Sequence, residues 1–358
     1  MNANPSTLAG LEALLSEPHT ATVRALAACP GDLVVLGAGG KMGPTLARMA
    51  MRAARDADGT QVRRVIAVSR FSSPDTERTL REAGVETMCC DLLDRDAVAH
   101  LPDAPNVVFM AGQKFGTTEA PERTWLINVV VPAICAERYG SSRIVAFSTG
   151  NVYPLVPATG VGAKETDLTG PVGEYAASCL GRERIFEGAT RSERHESGSA
   201  QNAVPTAGAR VAIVRLNYAI DLRYGVLADL SDRVWTGQPV SLAMGYVNVI
   251  WQGDANRAAL ELLPHAASPA RIVNITGTER LSVRWLATEL GARLGREPVF
   301  EGSEAADALL SDATLMQSML GAPTVTITQM LDWTAEWTRA GGLRLDKPTH
   351  FDARDGRF

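Results

Sequence analysis

Short β-prone runs alternate with helical segments along the chain from residue 33 onward. Apolar, β-branched runs occupy residues 33–36, 65–68, 85–90, 106–110 and 143–147, and a further run occupies 211–216. This alternation is typical of βαβ units, in which a helix carries the chain between two parallel strands. Right-handed crossovers place such helices on both faces of the sheet. The sequence therefore predicts an α/β protein with a parallel sheet between two helical layers.

Other segments flank or interrupt this pattern. Two short helical patterns, separated by Pro18 and ended by Pro30, predict an N-terminal helical extension over residues 1–30. The polar, Gly/Ser-rich stretch 191–209 lacks periodicity and predicts a surface loop. Residues 346–358 are charged and contain glycine, which predicts a C-terminal tail that either packs as an arm or stays loose.

Composition argues against several classes of partner. The 358 residues carry 35 Lys and Arg against 40 Asp and Glu, a net charge of −5, which gives no electrostatic reason to expect nucleic acid or an anionic membrane. No apolar run approaches the ~18–20 residues that span a bilayer, and the start of the chain lacks a secretory pattern, so we expect a cytoplasmic protein. The five cysteines lack C-x-x-C spacing and the five histidines are scattered, so we expect no metal site.

A glycine-rich loop follows the first predicted strand. It reads Gly37-Ala38-Gly39-Gly40-Lys41-Met42-Gly43 and leads directly into a helical run. Glycines at positions 37, 40 and 43 permit a tight turn, close approach of the backbone to a pyrophosphate, and close packing of helix on strand. The helix N-terminus offers N–H groups and a positive dipole end to the anion. We therefore expect a dinucleotide with its pyrophosphate over Gly39, Gly40 and Met42, and with Gly37, Lys41 and Gly43 also at the cofactor, although a plain strand-to-helix turn would also contain glycine.

The ends of the next two strands bear on the choice of dinucleotide. Arg70, beside Ser69, follows the second strand, where an Asp or Glu would bind a ribose 2′-hydroxyl. A guanidinium there suits a 2′-phosphate, which favours NADP over NAD unless Arg70 is simply solvated. Asp91-Leu92 ends the third strand. Its carboxylate either accepts a hydrogen bond from the adenine amino group or caps the segment that begins at Leu93.

Several further segments resemble the extended short-chain dehydrogenase/reductase superfamily, in its NAD-dependent epimerase/dehydratase branch. The resemblance spans about residues 32–340 and rests on the glycine loop together with Asp91-Leu92, Met110-Ala111-Gly112, Asn128, Phe147-Ser148-Thr149-Gly150-Asn151-Val152-Tyr153, Tyr175 and Arg215-Leu216-Asn217-Tyr218. It implies a Rossmann-like, doubly wound parallel sheet with a smaller C-terminal domain that covers the substrate. The implied boundaries are 31–215 for the NAD(P)-binding domain and 216–345 for the substrate domain, which interleaves with the sheet around 245–276.

The resemblance also implies roles for individual residues. Ala111, Gly112 and Asn128 would border the cofactor. Thr149 and Tyr175 match the family's catalytic pair. In such sites the tyrosine moves the proton of a substrate hydroxyl while hydride moves to or from the nicotinamide, and the threonine hydroxyl binds the reacting oxygen.

One position departs from the family pattern Tyr-x-x-x-Lys. Cys179 lies four residues after Tyr175, on the same helix face, where an ammonium would lower the tyrosine pKa from its usual ~10. Lys114, after the fourth strand, is our candidate for a replacement cation, although a solvated loop lysine fits the sequence equally well. Arg182 lies two turns past Tyr175, which we expect to be too far to touch the phenol. Cys179 is itself a candidate nucleophile, but no histidine lies close in sequence to activate it.

The substrate and the reaction are less constrained. Asn151, Tyr153, Asn217 and Arg223 are candidate substrate residues and fit a small polyhydroxylated or acidic molecule, although Arg223 could equally pair with Asp221. We expect an NAD(P)-dependent oxidoreductase, epimerase or dehydratase acting on a sugar-like substrate. The alternatives are a non-catalytic NADP(H)-binding sensor and a lyase or isomerase with a structural cofactor. Whether the chain forms a homodimer stays open.

Overall fold

The main sheet contains seven parallel strands. The computed structural model describes residues 5–57, 63–116, 119–190, 208–345, 347 and 349–357. The strands are β1 (Leu33–Leu36), β2 (Val65–Ser69), β3 (Glu86–Cys89), β4 (Asn106–Phe109), β5 (Arg143–Thr149), β6 (Arg210–Leu216) and β7 (Arg271–Ile275). Their order across the sheet is β7-β6-β5-β4-β1-β2-β3. The strand order reverses at β1, so the predicted Rossmann-like, doubly wound sheet is confirmed, with a crevice beyond the carboxyl ends of β1 and β4.

The strand register aligns the carboxyl ends. Leu36 pairs with Phe109, Phe109 pairs with Ala146, and Thr149 at the end of β5 pairs with Leu216 at the end of β6. The segments after β1, β4 and β5 therefore leave the sheet at one edge. Ligands of open α/β sheets bind at this edge.

Helices cover both faces of the sheet and continue beyond it. They are α1 (Leu8–Leu15), α2 (Thr20–Ala27), α3 (Gly43–Ala57), α4 (Pro74–Glu82), α5 (Arg95–Ala99), α6 (Pro121–Trp125), α7 (Val131–Arg138), α8 (Gly173–Ala189), α9 (Val226–Thr236), α10 (Gln252–Glu261), α11 (Val283–Leu294), α12 (Thr314–Leu320) and α13 (Ile327–Arg339). A π-helical turn, Leu126–Val130, joins α6 to α7. Short 3₁₀ turns occupy Gly150–Val152 and Leu263–His265.

Short strand pairs brace the segments outside the main sheet. They are Tyr246–Val247 with Leu281–Ser282, Ile250–Trp251 with Ala219–Ile220, Phe300–Glu301 with Val240–Ser241, and Asp307–Ala308 with Val156–Pro157. The last pair ties the segment after β5 to a segment some 150 residues later. This strand pair adjoins a pocket that Leu155 and Leu309 help to line.

Apolar side chains fill both faces of the sheet. Val35 packs in one cluster with Ala50 of α3, whereas its neighbour Val34 packs in another with Ile134 of α7. Because successive strand residues point to opposite faces, a strand buried on both sides reads as a continuous apolar run. A third cluster, built mainly from α9, α11 and α13, lies beyond the sheet.

The two ends of the chain pack on this body. Helices α1 and α2 contact α3 and α10, and Leu11 and Leu15 join the third cluster. Residues 349–357 pack as an arm, since Phe351 is buried in the same cluster. The predicted loop 191–209 lies outside the described residues apart from its last two positions. None of the described helices is long and apolar enough to cross a membrane.

Candidate functional site

The glycine loop turns tightly from β1 into α3. Gly37 has a φ of +87°, and a Cβ there would lie 2.5 Å from the Ala111 nitrogen, so only glycine fits. A Cβ on Gly43 would lie 2.5 Å from the Ala38 oxygen, because α3 packs directly on the loop backbone. A Cβ on Gly40 would meet the Gly37 oxygen at 3.4 Å, an ordinary contact. Protein packing does not require glycine at position 40, as expected where a ligand approaches the backbone.

Lys41 points away from the phosphate position of the loop. Its Nζ donates to the Ala219 oxygen at 3.3 Å and lies 3.7 Å from the centre of the Tyr224 ring. Burial lowers the pKa of Lys41 to about 8, while the nearby carboxylate of Asp221 opposes that shift. We predicted a cofactor contact, but this lysine side chain instead joins the loop to the segment after β6.

Arg70 and Asp91 lie opposite each other beyond β2 and β3. Arg70 Nη1 is 3.9 Å from Asp91 Oδ2, and the Arg70 side chain is 60% exposed. Asp91 Oδ1 accepts a hydrogen bond from the Leu93 nitrogen at 3.1 Å. The cap of α5 is instead Asp94, which accepts from the Ala97 nitrogen. Asp91 therefore organises the turn, and its second oxygen faces Arg70.

The remaining predicted cofactor residues surround this loop. The Ala111 backbone packs on Gly37, and Gly112 is exposed next to it. Leu92 is buried and Met42 is partly buried against the apolar layer. These positions leave the backbone, rather than the side chains, available to a ligand.

Thr149 and Tyr175 bring two hydroxyl groups together at the carboxyl edge. Thr149 is the last residue of β5, and its Oγ1 donates to Asn151 Oδ1 at 2.9 Å and accepts from the Asn151 nitrogen at 3.2 Å. Tyr175 lies in the first turn of α8 and is hydrogen-bonded to Thr149 and Cys179. The structure thus assembles the predicted pair from two elements.

The surroundings of Tyr175 oppose its ionisation. Burial raises the pKa of Tyr175, and the charge of a Cys179 thiolate would raise it further, whereas Arg182 and the hydrogen bond with Thr149 lower it. The phenol is therefore neutral at physiological pH. Arg182, which we expected to be too far to touch the phenol, acts on it through its charge.

Cys179 is enclosed by apolar groups. Its side chain is 0% exposed and packs in a cluster with Val152, Tyr153 and Ala163. Burial raises the pKa of the Cys179 thiol. A buried neutral thiol is a poor nucleophile, so this cysteine is not suited to covalent catalysis.

Lys114 extends into the cleft between the sheet edge and the later segments. Its Nζ donates to the Thr349 oxygen at 3.2 Å. Burial lowers the pKa of Lys114 to about 8, and the negative charges of Asp229 and of a Cys179 thiolate oppose that shift. The solvated reading of this lysine is therefore wrong. Its ammonium lies within electrostatic range of the position that lacks the motif lysine.

Residues 33–199 match the sequence model of the NAD-dependent epimerase/dehydratase family. This part of the chain, just under half of its 358 residues, is similar to that family. The comparison with curated protein sequences gives no match. The epimerase/dehydratase region contains the glycine loop, Thr149 and Tyr175.

Solved structures share the fold over most of the chain. MoeE5 in complex with UDP-glucuronic acid and NAD is 22% identical, with a TM-score of 0.67 over 87% of this chain and 100% of its own. The UDP-glucose 4-epimerase of Thermotoga maritima, solved with UDP-glucose, is 20% identical, with a TM-score of 0.65 over 87% and 99%. The UDP-glucuronic acid 4-epimerase of Bacillus cereus, solved with NAD, is 16% identical, with a TM-score of 0.66 over 86% and 96%. At these identities the likeness establishes the fold.

Asn128 of this epimerase/dehydratase region is buried and holds other parts of the site. Its Nδ2 donates to the Gln113 oxygen and to Ser178 Oγ, both at 2.9 Å. Its Oδ1 accepts from the Gln113 nitrogen at 2.9 Å and from Arg182 Nη2 at 2.6 Å. Arg182 Nη1 also donates to the Phe147 oxygen at 2.9 Å. Asn128 is 0% exposed and positions Arg182 and the segment after β4, and its predicted place beside the cofactor stays a prediction.

The predicted substrate residues divide into two groups. Asn151 and Tyr153 line a pocket together with Lys114. Asn217 is buried and donates to Asn248 Oδ1 at 2.9 Å, so it faces the interior. Arg223 does not line the pocket and is held by ion pairs within the protein. Two of the four residues thus lie where a ligand could reach them.

Arg223 forms ion pairs within the protein. Its Nη2 lies 3.0 Å from Asp221 Oδ2, and its Nη1 lies 3.3 Å from Glu12 Oε1 on α1. The structure thus contains the alternative pairing with Asp221, and substrate binding by Arg223 stays a prediction.

Sequence reasoning missed one contributor to the pocket. Residues 349–357, together with Tyr218, Met244 and Leu309, line it opposite Asn151. No local pattern marks the segment, because its role depends on contacts with residues far away in the chain.

Proposed function

We propose that the protein is an NAD(P)-dependent oxidoreductase, epimerase or dehydratase that acts on a small polyhydroxylated or acidic, sugar-like molecule, with Cys179 in place of the motif lysine. The hydroxyl pair of Thr149 and Tyr175 at the carboxyl edge carries this proposal. The family match and the UDP-sugars and NAD named for the similar structures support it. A cytoplasmic location and a homodimer remain predictions.

The residues around the loop fit a nicotinamide dinucleotide. Gly40 leaves space where a pyrophosphate would meet the backbone, and the N-terminus of α3 would face its charge. Arg70 would bind the 2′-phosphate of NADP, and Asp91 would accept a hydrogen bond from the adenine amino group. When bound, the nicotinamide supplies or accepts a hydride.

Side chains of the protein would transfer the proton of the substrate hydroxyl. Tyr175 would donate or accept the proton of a substrate hydroxyl, and the Thr149 hydroxyl would bind the reacting oxygen. The positive charge of Arg182 favours the ionised phenol. The ammonium group of Lys114 is a second positive charge in the same cleft and would bind a carboxylate or hydroxyl group of the substrate.

The test of this function is turnover by Tyr175→Phe. If the phenol is the acid or base, loss of its hydroxyl should lower kcat by about 10²–10⁴-fold, the usual value of a positioned acid or base, and leave cofactor affinity nearly unchanged. Steady-state assays of nicotinamide absorbance with uronic and aldonic acids measure it. Tyr246→Phe, on a tyrosine outside the hydroxyl pair, is the control. Full activity in Tyr175→Phe would remove this residue from the mechanism.

Arg70 should make the enzyme prefer NADP(H). Its exposed guanidinium can form charge-assisted hydrogen bonds to a 2′-phosphate, so Arg70→Ala should weaken NADPH binding by about tenfold or more and leave NADH binding unchanged. Calorimetric titration of both cofactors measures this, with Arg78→Ala on α4 as the surface control. Equal affinities of the wild type for both cofactors would contradict the role given to Arg70.

A non-catalytic NADP(H)-binding sensor is the second candidate. The raised pKa of Tyr175 and the neutral thiol of Cys179 favour it, because both weaken proton transfer. Tight NADPH binding without turnover on a broad panel of sugars and sugar acids would support the sensor over the enzyme.

A further inference from the structure

The N-terminal extension packs against an element of the proposed cofactor site. Its helices α1 and α2 precede residue 33, where the match to the family model begins. Both helices contact α3, and Leu11 and Leu15 of α1 are fully buried. Helix α3 follows the glycine loop directly. The extension can therefore act on the loop through residues that α1 presents on this side.

The carboxylate of Glu12 on α1 bridges two arginines. Its Oε2 lies 2.7 Å from Arg48 Nη1 on α3, and its Oε1 lies 3.3 Å from Arg223 Nη1 in the segment after β6. The Arg223 side chain is only 10% exposed, so its charge needs acidic partners within the protein. Among the described residues these partners are Glu12 and Asp221. Glu12 therefore joins the segment after β6 to α1 and α3.

The segment after β6 forms a tight turn that contacts Lys41. Asp221 and Tyr224 exchange backbone hydrogen bonds at 3.0 and 3.4 Å, and Asp221 Oδ1 accepts from the Arg223 nitrogen at 2.6 Å. The Lys41 ammonium donates to the Ala219 oxygen and lies over the Tyr224 ring. The position of the Lys41 side chain is thus fixed by this segment.

The backbone of Lys41 lies where the proposed pyrophosphate would bind. Among the described residues, the N–H groups of Gly39, Lys41 and Met42 form no hydrogen bond with another backbone group. Free N–H groups just before a helix are suited to bind an anion. Because the Lys41 side chain is bonded at its far end, its backbone N–H has little freedom to turn away. A donor that is oriented before the ligand arrives binds that ligand more tightly.

These contacts connect the extension to the loop through charges of alternating sign. The order is Lys41, Asp221, Arg223, Glu12 and Arg48, with a positive group at both ends. Each neighbouring pair attracts. Loss of the Glu12 charge would leave two arginines with no carboxylate between them, and the segment after β6 would lose its ion pair with α1.

We propose that Glu12 is a positioning residue for the cofactor loop, through which the N-terminal extension raises the affinity for the dinucleotide. Glu12 fixes the segment after β6, and that segment fixes Lys41 with its N–H toward the pyrophosphate. The inference rests on the proposed function, because it concerns the same dinucleotide.

The contribution of Glu12 to stability should be small. Its side chain is 31% exposed, and ion pairs at such positions contribute little to the free energy of unfolding. Buried Leu11 and Leu15 keep α1 on the protein without it, as do hydrogen bonds from Arg52 of α3 to backbone oxygens at the end of α1. A substitution of Glu12 should therefore change ligand affinity in a folded protein.

The experiment compares cofactor affinity and stability in the full chain. Calorimetric titration with NADPH and NADP⁺ should give a Kd about three- to thirty-fold higher in Glu12→Gln than in the wild type, the range expected when a residue acts on a site through others. The melting temperature should stay close to that of the wild type. Glu17→Gln is the matched control, because Glu17 lies two residues after α1 and pairs with Arg52 of α3 rather than with Arg223. Its Kd should equal that of the wild type.

A second substitution tests the path from Glu12 to the loop. In an Arg223→Met background Glu12 has no ion pair with the segment after β6, so Glu12→Gln should change the Kd there by less than about twofold. Amide hydrogen exchange at residues 219–224 should be faster in Glu12→Gln than in the wild type, and unchanged in Glu17→Gln. If Arg223→Met does not fold, this exchange measurement decides. A full further loss of affinity in the double variant, or unchanged exchange at 219–224, would overturn the proposal.

The remaining outcomes are also decisive. An unchanged Kd in Glu12→Gln, with or without a lower melting temperature, would overturn the proposal, because Glu12 would then serve packing alone. Failure of the wild type to bind either nicotinamide cofactor would overturn the proposed function itself. The two failures are therefore distinguishable.

Discussion

The phenol of Tyr175 lies beside a thiol where the family pattern has an ammonium. Cys179 is fully buried, and burial raises the pKa of Tyr175 while the neutral thiol beside it supplies no positive charge to lower that pKa. Arg182 supplies a compensating charge, while Lys114 acts on Cys179. The site thus contains two cations, but neither occupies the motif position. Its proton chemistry should therefore need a higher pH than a site with the lysine.

Cys179→Lys should shift the activity toward neutral pH. An ammonium next to Tyr175 favours the phenolate, so the limb of the pH–rate profile that reports phenol ionisation should move to lower pH. The longer side chain enters a filled cluster and should cost about 1–3 kcal/mol of unfolding free energy. Cys179→Met adds similar bulk without charge and should leave the pH profile unchanged. Identical profiles for both variants would show that charge at this position does not control the phenol.

Lys114 should make stability depend on pH in a defined range. Its folded-state pKa of about 8 lies below the ordinary value of 10.5, so the unfolded chain binds its proton more tightly. The destabilising effect is complete below about pH 8 and disappears as the pH rises toward 10.5. The difference in unfolding free energy between Lys114→Met and the wild type should therefore change steadily across this range in favour of the wild type. Urea unfolding at several pH values measures it, with the exposed Lys164→Met as a control that should show no such trend.

Close backbone contacts between the glycine loop, the segment after β4 and helix α3 fix the position of the loop. The loop after β1 packs against the segment after β4 at Gly37, and α3 packs on the loop at Gly43. Between them, Gly40 faces no comparable obstacle. Packing of the loop therefore requires glycine at positions 37 and 43, whereas position 40 is suited to the approach of a ligand.

Valine at position 40 or at position 37 should distinguish a glycine needed for cofactor binding from a glycine needed for folding. Gly40→Val should fold with a nearly unchanged melting temperature but lose cofactor affinity by about 10- to 150-fold for each backbone contact that it blocks. Gly37→Val should instead lower the melting temperature, because the positive φ and the Ala111 backbone both exclude a side chain. Thermal unfolding and cofactor titration of both variants measure the contrast. Unchanged cofactor affinity in Gly40→Val would remove the loop from the binding site.

Across the whole molecule, the local features were predictable and the long-range ones were not. The strands and the glycine loop follow from spacing within short segments, because side-chain period and backbone freedom are local properties. The contacts of Lys41 and Arg223 were not predictable, because the Lys41 ammonium donates to the Ala219 oxygen and the Arg223 guanidinium donates to Glu12, each far away in the chain. The sequence left open whether the C-terminal tail packs as an arm or stays loose, because the partners of residues 349–357 lie on strand ends and helices far away in the chain.

The hydrogen bond between Lys114 and Thr349 joins residues 235 positions apart. A ribosome that adds roughly 5–20 residues per second needs about 12–47 s to synthesise that interval. Much of the sheet and its loops can form during this time, but the pocket acquires this wall only after residues 349–357 have been synthesised. A nascent chain that has passed Lys114 and not yet reached Thr349 would therefore hold the glycine loop and the sheet edge with the cleft beside Lys114 still open.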